Sequence, residues 1–335
     1  MTTSNPPLLD NHGRPVNYLR LAVTDRCNLR CFYCMPEEGI KYLPKKALLT
    51  YEEMERMVRV LAAMGVNKVR ITGGEPFVRN GLLYFLGRLG QIPGIDALHL
   101  TTNGVLTAPH VTELKVIGVR SVNLSLDTLD RDRFRHITRR DELPKVLDTL
   151  FGLLANGIEV KLNVVVMEGK NTGDILPMAE LTRQYPVSVR FIEEMPFNGE
   201  GNRFAGFTWN YRRILEELKA HYPALYKLAD EPNATAYEYG IPGHAGRLGI
   251  IAAFSRSFCG TCNRIRITAQ GLLKTCLYDD GGLDLRKLLR TGATDEQLTL
   301  AFRAAFSRRA KDGFEAEARR SSHQPASESM STIGG

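Results

Sequence analysis

Between residues 18 and 192 a short, alternating, strand-forming segment is followed by an amphipathic helical segment again and again. The strand segments fall at 18–24, 68–72, 97–101, 121–126, 160–167 and 187–192. Helical patterns follow the first five, over about 50–64, 81–89, up to 117, 143–156 and 174–184. Thr50-x-x-Glu53 is a capping box that opens the first of them, and Gly65 closes it. Strands alternating with helices predict parallel pairing. Six units predict an α/β fold built as a partial (β/α)6 TIM-type barrel, with a doubly wound sheet as the alternative. No G-x-G-x-x-G follows the first strand, which argues against a dinucleotide-binding version.

Unusual polar and glycine clusters sit just after these strands: Gly73-Gly74-Glu75-Pro76, Thr101-Thr102-Asn103-Gly104, Ser125-Leu126-Asp127 and Glu193-Glu194-Met195-Pro196. Taken singly, each reads as turn chemistry. In a barrel of parallel strands they converge on the face that carries active sites. The first such loop holds Cys27, Cys31 and Cys34, spaced C-x3-C-x2-C. Three thiolates suffice for three irons of a [4Fe–4S] cluster and leave the fourth iron open to a ligand. A zinc site wants a fourth ligand at short spacing, and the flanking histidines His12 and His99 are not at that spacing.

Arg20, Arg70, Lys161 and Arg190 lie within strands one, two, five and six. Charged side chains rarely enter an interior without a partner. Each alone reads as an outward-facing residue or half of an ion pair. Four in one barrel, without a matching set of strand carboxylates, predict a lumen that receives an anion such as a triphosphate. The net charge of +7 agrees with an anionic partner.

After residue 211 come a helical pattern (212–221), two strand patterns (236–239 and 248–254) and a second triad, Cys259, Cys262 and Cys276, spaced C-x2-C-x13-C. A second cluster with an open iron and an incomplete zinc ribbon closed by His244 are both readings of that spacing. Arg264 and Arg266 alternate on an extended segment beside it, so both face one side. The expected organisation is a polar lead-in (1–14), the barrel (15–210), a C-terminal α+β extension closing the barrel mouth (211–310), and a mostly flexible tail (311–335). The first twenty residues hold no apolar run that would serve as an export signal, and no stretch approaches the length of a membrane span. Cysteines kept as metal ligands in a reducing cytoplasm fit this reading.

The C-x3-C-x2-C loop, with Tyr33 before its third cysteine, resembles that of the radical S-adenosylmethionine enzymes. Together with the second triad, Thr24-Asp25-Arg26-Cys27-Asn28, Arg70 through Pro76, Thr101 through Gly104, Phe191-Ile192-Glu193, Phe258 through Arg266 and the terminal Gly334-Gly335, the chain resembles the GTP 3′,8-cyclase family of molybdenum cofactor biosynthesis. The resemblance implies two [4Fe–4S] clusters with three cysteine ligands each, and S-adenosylmethionine on the first. It implies that Tyr33, Gly74, Ser125 and Met195 contact S-adenosylmethionine. It implies that Arg20, Arg70, Thr101, Lys161, Arg190, Arg264, Ile265 and Arg266 contact GTP. The Gly334-Gly335 end would enter the active site.

The implied reaction is abstraction of H3′ from GTP and closure of a C3′–C8 bond. The implied partners are GTP, an electron donor and, functionally, the following enzyme, cyclic pyranopterin monophosphate synthase. No nucleic acid or membrane is expected, and the chain would act as a monomer or homodimer. Two other readings are a two-cluster radical enzyme acting on a peptide or sugar, and a zinc-containing nucleic-acid-binding protein. The basic residues are spread along the chain with a single Trp, unlike a basic stripe interleaved with aromatics.

Overall fold

The computed structural model describes residues 8–197, 208–320 and 328–334. Strands β1 (Tyr18–Ala22), β2 (Lys68–Thr72), β3 (Ala97–Thr102), β4 (Val119–Ser125), β5 (Glu159–Val166) and β6 (Ser188–Glu193) pair in sequence order, all parallel. Helices α1 (Tyr51–Ala63), α2 (Leu82–Gly90), α3 (Val111–Ile117), α4 (Arg131–Thr138), α5 (Leu143–Ala155) and α6 (Ile175–Gln184) connect them. The Thr50/Glu53 capping box is formed in both directions. Helix α4 has no counterpart in the sequence reading; Asp130 caps it by accepting from Arg133 N.

Alternation along each strand builds two surfaces. In β5, Val160, Leu162, Val164 and Val166 are buried against the helices, while Lys161, Asn163 and Val165 line the lumen. In β1, Leu19 and Leu21 are wholly buried, while Tyr18 and Arg20 face inward. The apolar core therefore sits between sheet and helices, and the lumen is left for polar groups.

Beyond α7 (Tyr211–His221) come β7 (Tyr226–Lys227), β8 (Ala236–Gly240), β9 (Arg247–Ile251), β10 (Arg264–Ile267), β11 (Leu272–Lys274) and β12 (Leu283–Asp284). These strands continue the barrel's own sheet, in the order β12-β11-β10-β1-β2-β3-β4-β5-β6-β9-β8-β7. Strand β10 adds parallel to β1 and β9 adds parallel to β6. The six expected parallel strands thus become eight in an open barrel, with antiparallel strands on both outer edges. The C-terminal extension adds its strands to both edges of the sheet.

Helices α8 (Leu285–Arg290), α9 (Asp295–Phe306) and α10 (Gly313–Ala318) follow, and α11 (Met330–Ile333) ends the described chain. The tail departs from expectation over 311–320. Asp312 caps α10, Ala316 is buried, and the Arg256 guanidinium lies 3.5 Å from the Tyr278 ring centre and 4.3 Å from that of Phe314. Arg256 also pairs with Glu317 at 2.6 Å. These contacts give a charged, Ala-rich segment an anchor that its composition does not reveal. Residues 321–327 and Gly335 lie outside the described residues. No described helix is long and apolar enough to cross a membrane.

Candidate active site

The register of the added strands puts the two cysteine triads at opposite ends of the barrel. Cys27, Cys31 and Cys34 follow the C-terminal end of β1. Arg264, the first residue of β10, pairs with Tyr18, the first residue of β1. Cys262 therefore lies at the N-terminal end of the strands, where antiparallel β11 also delivers Cys276. About five strand residues, roughly 17 Å, separate the two ends. A single cavity of about 490 Å³ is lined by all six cysteines and by the cations between them.

The cysteine loop is held from the β2 side. Gly74 N donates to Thr24 O at 2.9 Å, and Glu75 N donates to Arg26 O at 2.8 Å. A Cβ on Gly74 would meet Arg26 O at 2.3 Å, and one on Gly73 would meet Thr24 O at 2.6 Å. The two glycines are needed because two backbones run against each other here. Glu75 is fully buried and latches the next loop: it accepts from Phe77 N (3.1 Å), Thr102 Oγ1 (2.9 Å) and Asn103 N (2.7 Å). Burial outweighs these bonds and lifts its carboxyl to about 7. Asn103 Nδ2 in turn approaches Cys27 Sγ at 3.6 Å. Tyr33 donates to Asp127 at 2.9 Å, and burial raises the Asp127 carboxyl to about 6.

The cation cluster spans the middle of the barrel. Arg266, Arg20 and Arg70 lie side by side on β10, β1 and β2. Burial and mutual repulsion depress Arg20 well below its ordinary value and bring Arg266 to about 10; Lys161 and Arg190 are lowered by the same two causes. Tyr18 is within 2.5 Å of Arg70 Nε. Burial alone would raise Tyr18, but Arg70, Arg20 and Lys68 overcome it and bring the phenol to about 7.

The expectation of no matching strand carboxylates is corrected on one side of the lumen. Lys161 pairs with Glu159 at 3.1 Å, and Arg190 pairs with Glu238 at 2.8 Å. Arg247 contacts both carboxylates. Glu238 lies on the antiparallel strand β8, more than 40 residues away in sequence, so local reading could not pair it.

Of the residues singled out in the sequence, Tyr33, Gly74, Ser125, Met195, Arg20, Arg70, Thr101, Lys161, Arg190, Arg264 and Arg266 all line the cavity. Ile265 does not: its side chain is wholly buried in the apolar core on the opposite face of β10. Gly334 is buried where β1 and β2 end. A Cβ there would meet Thr72 Oγ1 at 2.8 Å and Ala22 Cβ at 2.9 Å, and its carbonyl accepts from Arg266 Nη1 at 3.0 Å. Glu193 is a latch: its carboxylate accepts from Tyr211 N, Phe254 N and Ser255 N. Sequence reading missed Tyr18, Lys68, Asn123 and Asn163, all lumen residues. Strand periodicity contained that signal, since they occupy the same face as the arginines.

The cavity suits a polar ligand. Thr101 Oγ1, Asn123 Oδ1 and Asn163 Oδ1 are buried there without hydrogen-bond partners, a state that buried polar groups rarely keep. All six cysteines are free thiols. The zinc alternative loses its fourth ligand, because His244 bonds Thr182 Oγ1 at 2.8 Å and packs on Tyr222, away from the cavity.

An open parallel barrel with a three-cysteine loop after its first strand defines a class, the radical S-adenosylmethionine proteins. The model of the Radical SAM superfamily matches residues 21–182, and that of Molybdenum Cofactor Synthesis C matches 187–314. The fold is similar to that of SuiB from Streptococcus suis, with a TM-score of 0.62 at 14% identity over 88% of this chain and 69% of that one. The chain is 46% identical to a GTP 3′,8-cyclase of Geobacter sulfurreducens, over 85% of this chain and 87% of that protein. It is 42% identical to one of Syntrophomonas wolfei, over 88% and 91%. It is 40% identical to human molybdenum cofactor biosynthesis protein 1, over 90% of this chain but 48% of that longer protein. The chain belongs to the GTP 3′,8-cyclase family. Membership of the superfamily brings an iron–sulfur cluster and S-adenosylmethionine.

Proposed function

We propose that the protein converts GTP to 3′,8-cyclo-7,8-dihydroguanosine 5′-triphosphate, the first step of molybdenum cofactor biosynthesis, with two [4Fe–4S] clusters at the two ends of one cavity. The observation that carries this reading is the placement of the buried cations between two free cysteine triads. Cys27, Cys31 and Cys34 would hold the first cluster, and Cys259, Cys262 and Cys276 the second. A cluster held there, with S-adenosylmethionine bound, would supply one-electron reductive cleavage chemistry.

The chain's own residues do the rest by positioning. Arg20, Arg70 and Arg266 repel one another in a buried site, so a triphosphate relieves a cost already present in the fold. Lys161 and Arg190 reach the same lumen but share their charge with Glu159 and Glu238, and so make a weaker demand for an anion. Thr101, Asn123 and Asn163 offer unsatisfied groups to a ribose or base. Tyr33, Gly74, Ser125 and Met195 form the S-adenosylmethionine end. Gly334 lies where β1 and β2 end, bonded to Arg266, so the tail places backbone beside the substrate without side-chain bulk. Held in this way, C3′ and C8 of one GTP stay within attack distance and water is kept out, which is worth many orders of magnitude in effective concentration. The organisation into a barrel (15–210), a second-triad part (211–310) and a tail is part of the same proposal, although the second matched family region begins earlier, at residue 187.

The test uses anaerobically reconstituted protein, a strong reductant, S-adenosylmethionine and GTP deuterated at C3′. Deuterium is expected in 5′-deoxyadenosine. Cofactor cleavage without deuterium transfer, on protein holding both clusters, would overturn GTP as the substrate.

A further inference from the structure

Arg309 follows α9 and is 2% exposed. Four donor contacts fix its guanidinium. Nε donates to Thr275 O at 3.0 Å, Nη1 to Asp10 Oδ2 at 3.2 Å, and Nη2 to Arg264 O at 2.7 Å and to Cys262 Sγ at 3.3 Å. The Asp10 side chain is completely buried and is also held by Arg14 Nε at 2.7 Å. Arg14 reaches onward to Cys259 O at 3.1 Å and to the carbonyls of Ala310 and Lys311 at 2.8 and 2.6 Å. The network thus touches each stretch that carries a cysteine of the second triad: Cys259 through its carbonyl, Cys262 through its sulfur, and Cys276 through its neighbour Thr275.

The charges in this network do not balance internally. Two buried guanidiniums, Arg14 and Arg309, share one carboxylate, Asp10. A buried charge is retained only against an opposite one. The surplus positive charge is aimed at Cys262 Sγ, which also receives Arg264 Nη2 at 3.5 Å. Thiolates bound in a cluster would supply the missing negative charge. At the first triad the corresponding contact is a neutral amide, Asn103 Nδ2 to Cys27 Sγ.

We propose that Arg309, set in place by Asp10 and Arg14, is a positioning residue of the second cluster that also raises its reduction potential through the hydrogen bond to Cys262 sulfur. Hydrogen bonds to ligand sulfurs and nearby positive charge favour the more negative, reduced state of a cluster. The lead-in segment, which carries Asp10 and Arg14, is by this account part of the cluster's outer shell. The inference rests on the two-cluster reading above.

The experiment is an EPR-monitored redox titration of full-length, reconstituted protein, with iron counted in each sample. The signal perturbed by S-adenosylmethionine belongs to the first cluster, and the remaining signal belongs to the second. In Arg309→Gln the second midpoint is expected to move to more negative potential, with the first midpoint and the iron count unchanged. Arg309→Lys keeps the charge and should recover part of the shift. Full iron with both midpoints unmoved would overturn the proposal, as would both moving together. Loss of the second cluster's iron in the Gln and Lys variants alike would reduce Arg309 to a structural role and overturn it too. Wild-type protein with iron and signal for one cluster alone would instead overturn the two-cluster reading itself.

Discussion

The first triad lies beside buried carboxyl groups, and the second lies among guanidiniums. Burial, then Glu75, pushes the Cys27 thiol to about 12, and burial with Asp127 pushes Cys31 well above the usual range. At the other end burial also raises Cys276, to about 11, but Arg264 and Arg309 outweigh burial at Cys262 and bring it to about 6. Negative surroundings make a cluster harder to reduce and so a stronger reductant once reduced, and positive surroundings do the opposite. The two ends of the barrel therefore differ in the charge beside their thiols. On the two-cluster reading proposed above, the end with Glu75 and Asp127 would hold the cluster that delivers an electron to S-adenosylmethionine. The end beside Arg264 and Arg266 is kept electropositive and favours anions.

The sharpest way to break this contrast is to remove one cysteine from each triad. Cys34→Ala is expected to take 5′-deoxyadenosine formation down to the background rate. Cys276→Ala should keep a measurable fraction of S-adenosylmethionine cleavage while the cyclised GTP product disappears. Equal loss of both products in both variants would show that the two ends do not divide the work.

A smaller effect separates the carboxylates that brace each triad. Glu75 braces the first by accepting from Phe77 N, Thr102 Oγ1 and Asn103 N. Asp279 braces the second by accepting from Thr275 N, Thr275 Oγ1 and Cys276 N. Glu75→Ala takes the acceptor from two backbone N–H groups and the Thr102 hydroxyl in a fully buried site and is expected to cost about 3–5 kcal/mol in urea unfolding. Asp279→Ala, in a site that is not fully closed to water, should cost about 1–3 kcal/mol. A Glu75→Ala protein as stable as wild type would refute the bracing role.

Much of this site was legible because period-two strands sort their residues without outside help. Arg20, Arg70, Lys161 and Arg190 stand on the lumen face for the same reason that Leu19 and Leu162 stand on the core face. The Thr50 capping box is likewise local and formed as read. What stayed hidden is held together across long sequence separations. The pairing of 264–267 with β1 spans nearly 250 residues, and Asp10 meets Arg309 across almost the whole chain. The backbone reason for glycine in the Gly-Gly-Glu-Pro loop is equally non-local: Thr24 through Arg26 lie against it, a contact that exists only after β1 and β2 pair.

The mildest consequence of the electropositive half is a pH slope in stability. His99 lies in the same register row as Arg70 and is 3% exposed, with Nδ1 bonded to Ser121 Oγ at 2.7 Å. Burial first, then Arg70, Lys68 and Lys161, lower its imidazole from 6.5 to about 2. The unfolded chain therefore binds a proton below pH 6.5 that the folded chain refuses down to about 2. Stability from this residue is complete above 6.5 and falls as the pH drops below it, by up to about 1.4 kcal/mol per pH unit. Urea midpoints at about pH 7.5 and about pH 5.5 should differ more in wild type than in His99→Gln, which cannot take up that proton. Saturating GTP should shrink the wild-type slope without abolishing it, because the triphosphate offsets Arg70 and Lys161 while burial remains the larger cause. Identical slopes in wild type and His99→Gln would mean that neither burial nor the lumen cations hold His99 neutral in the folded chain.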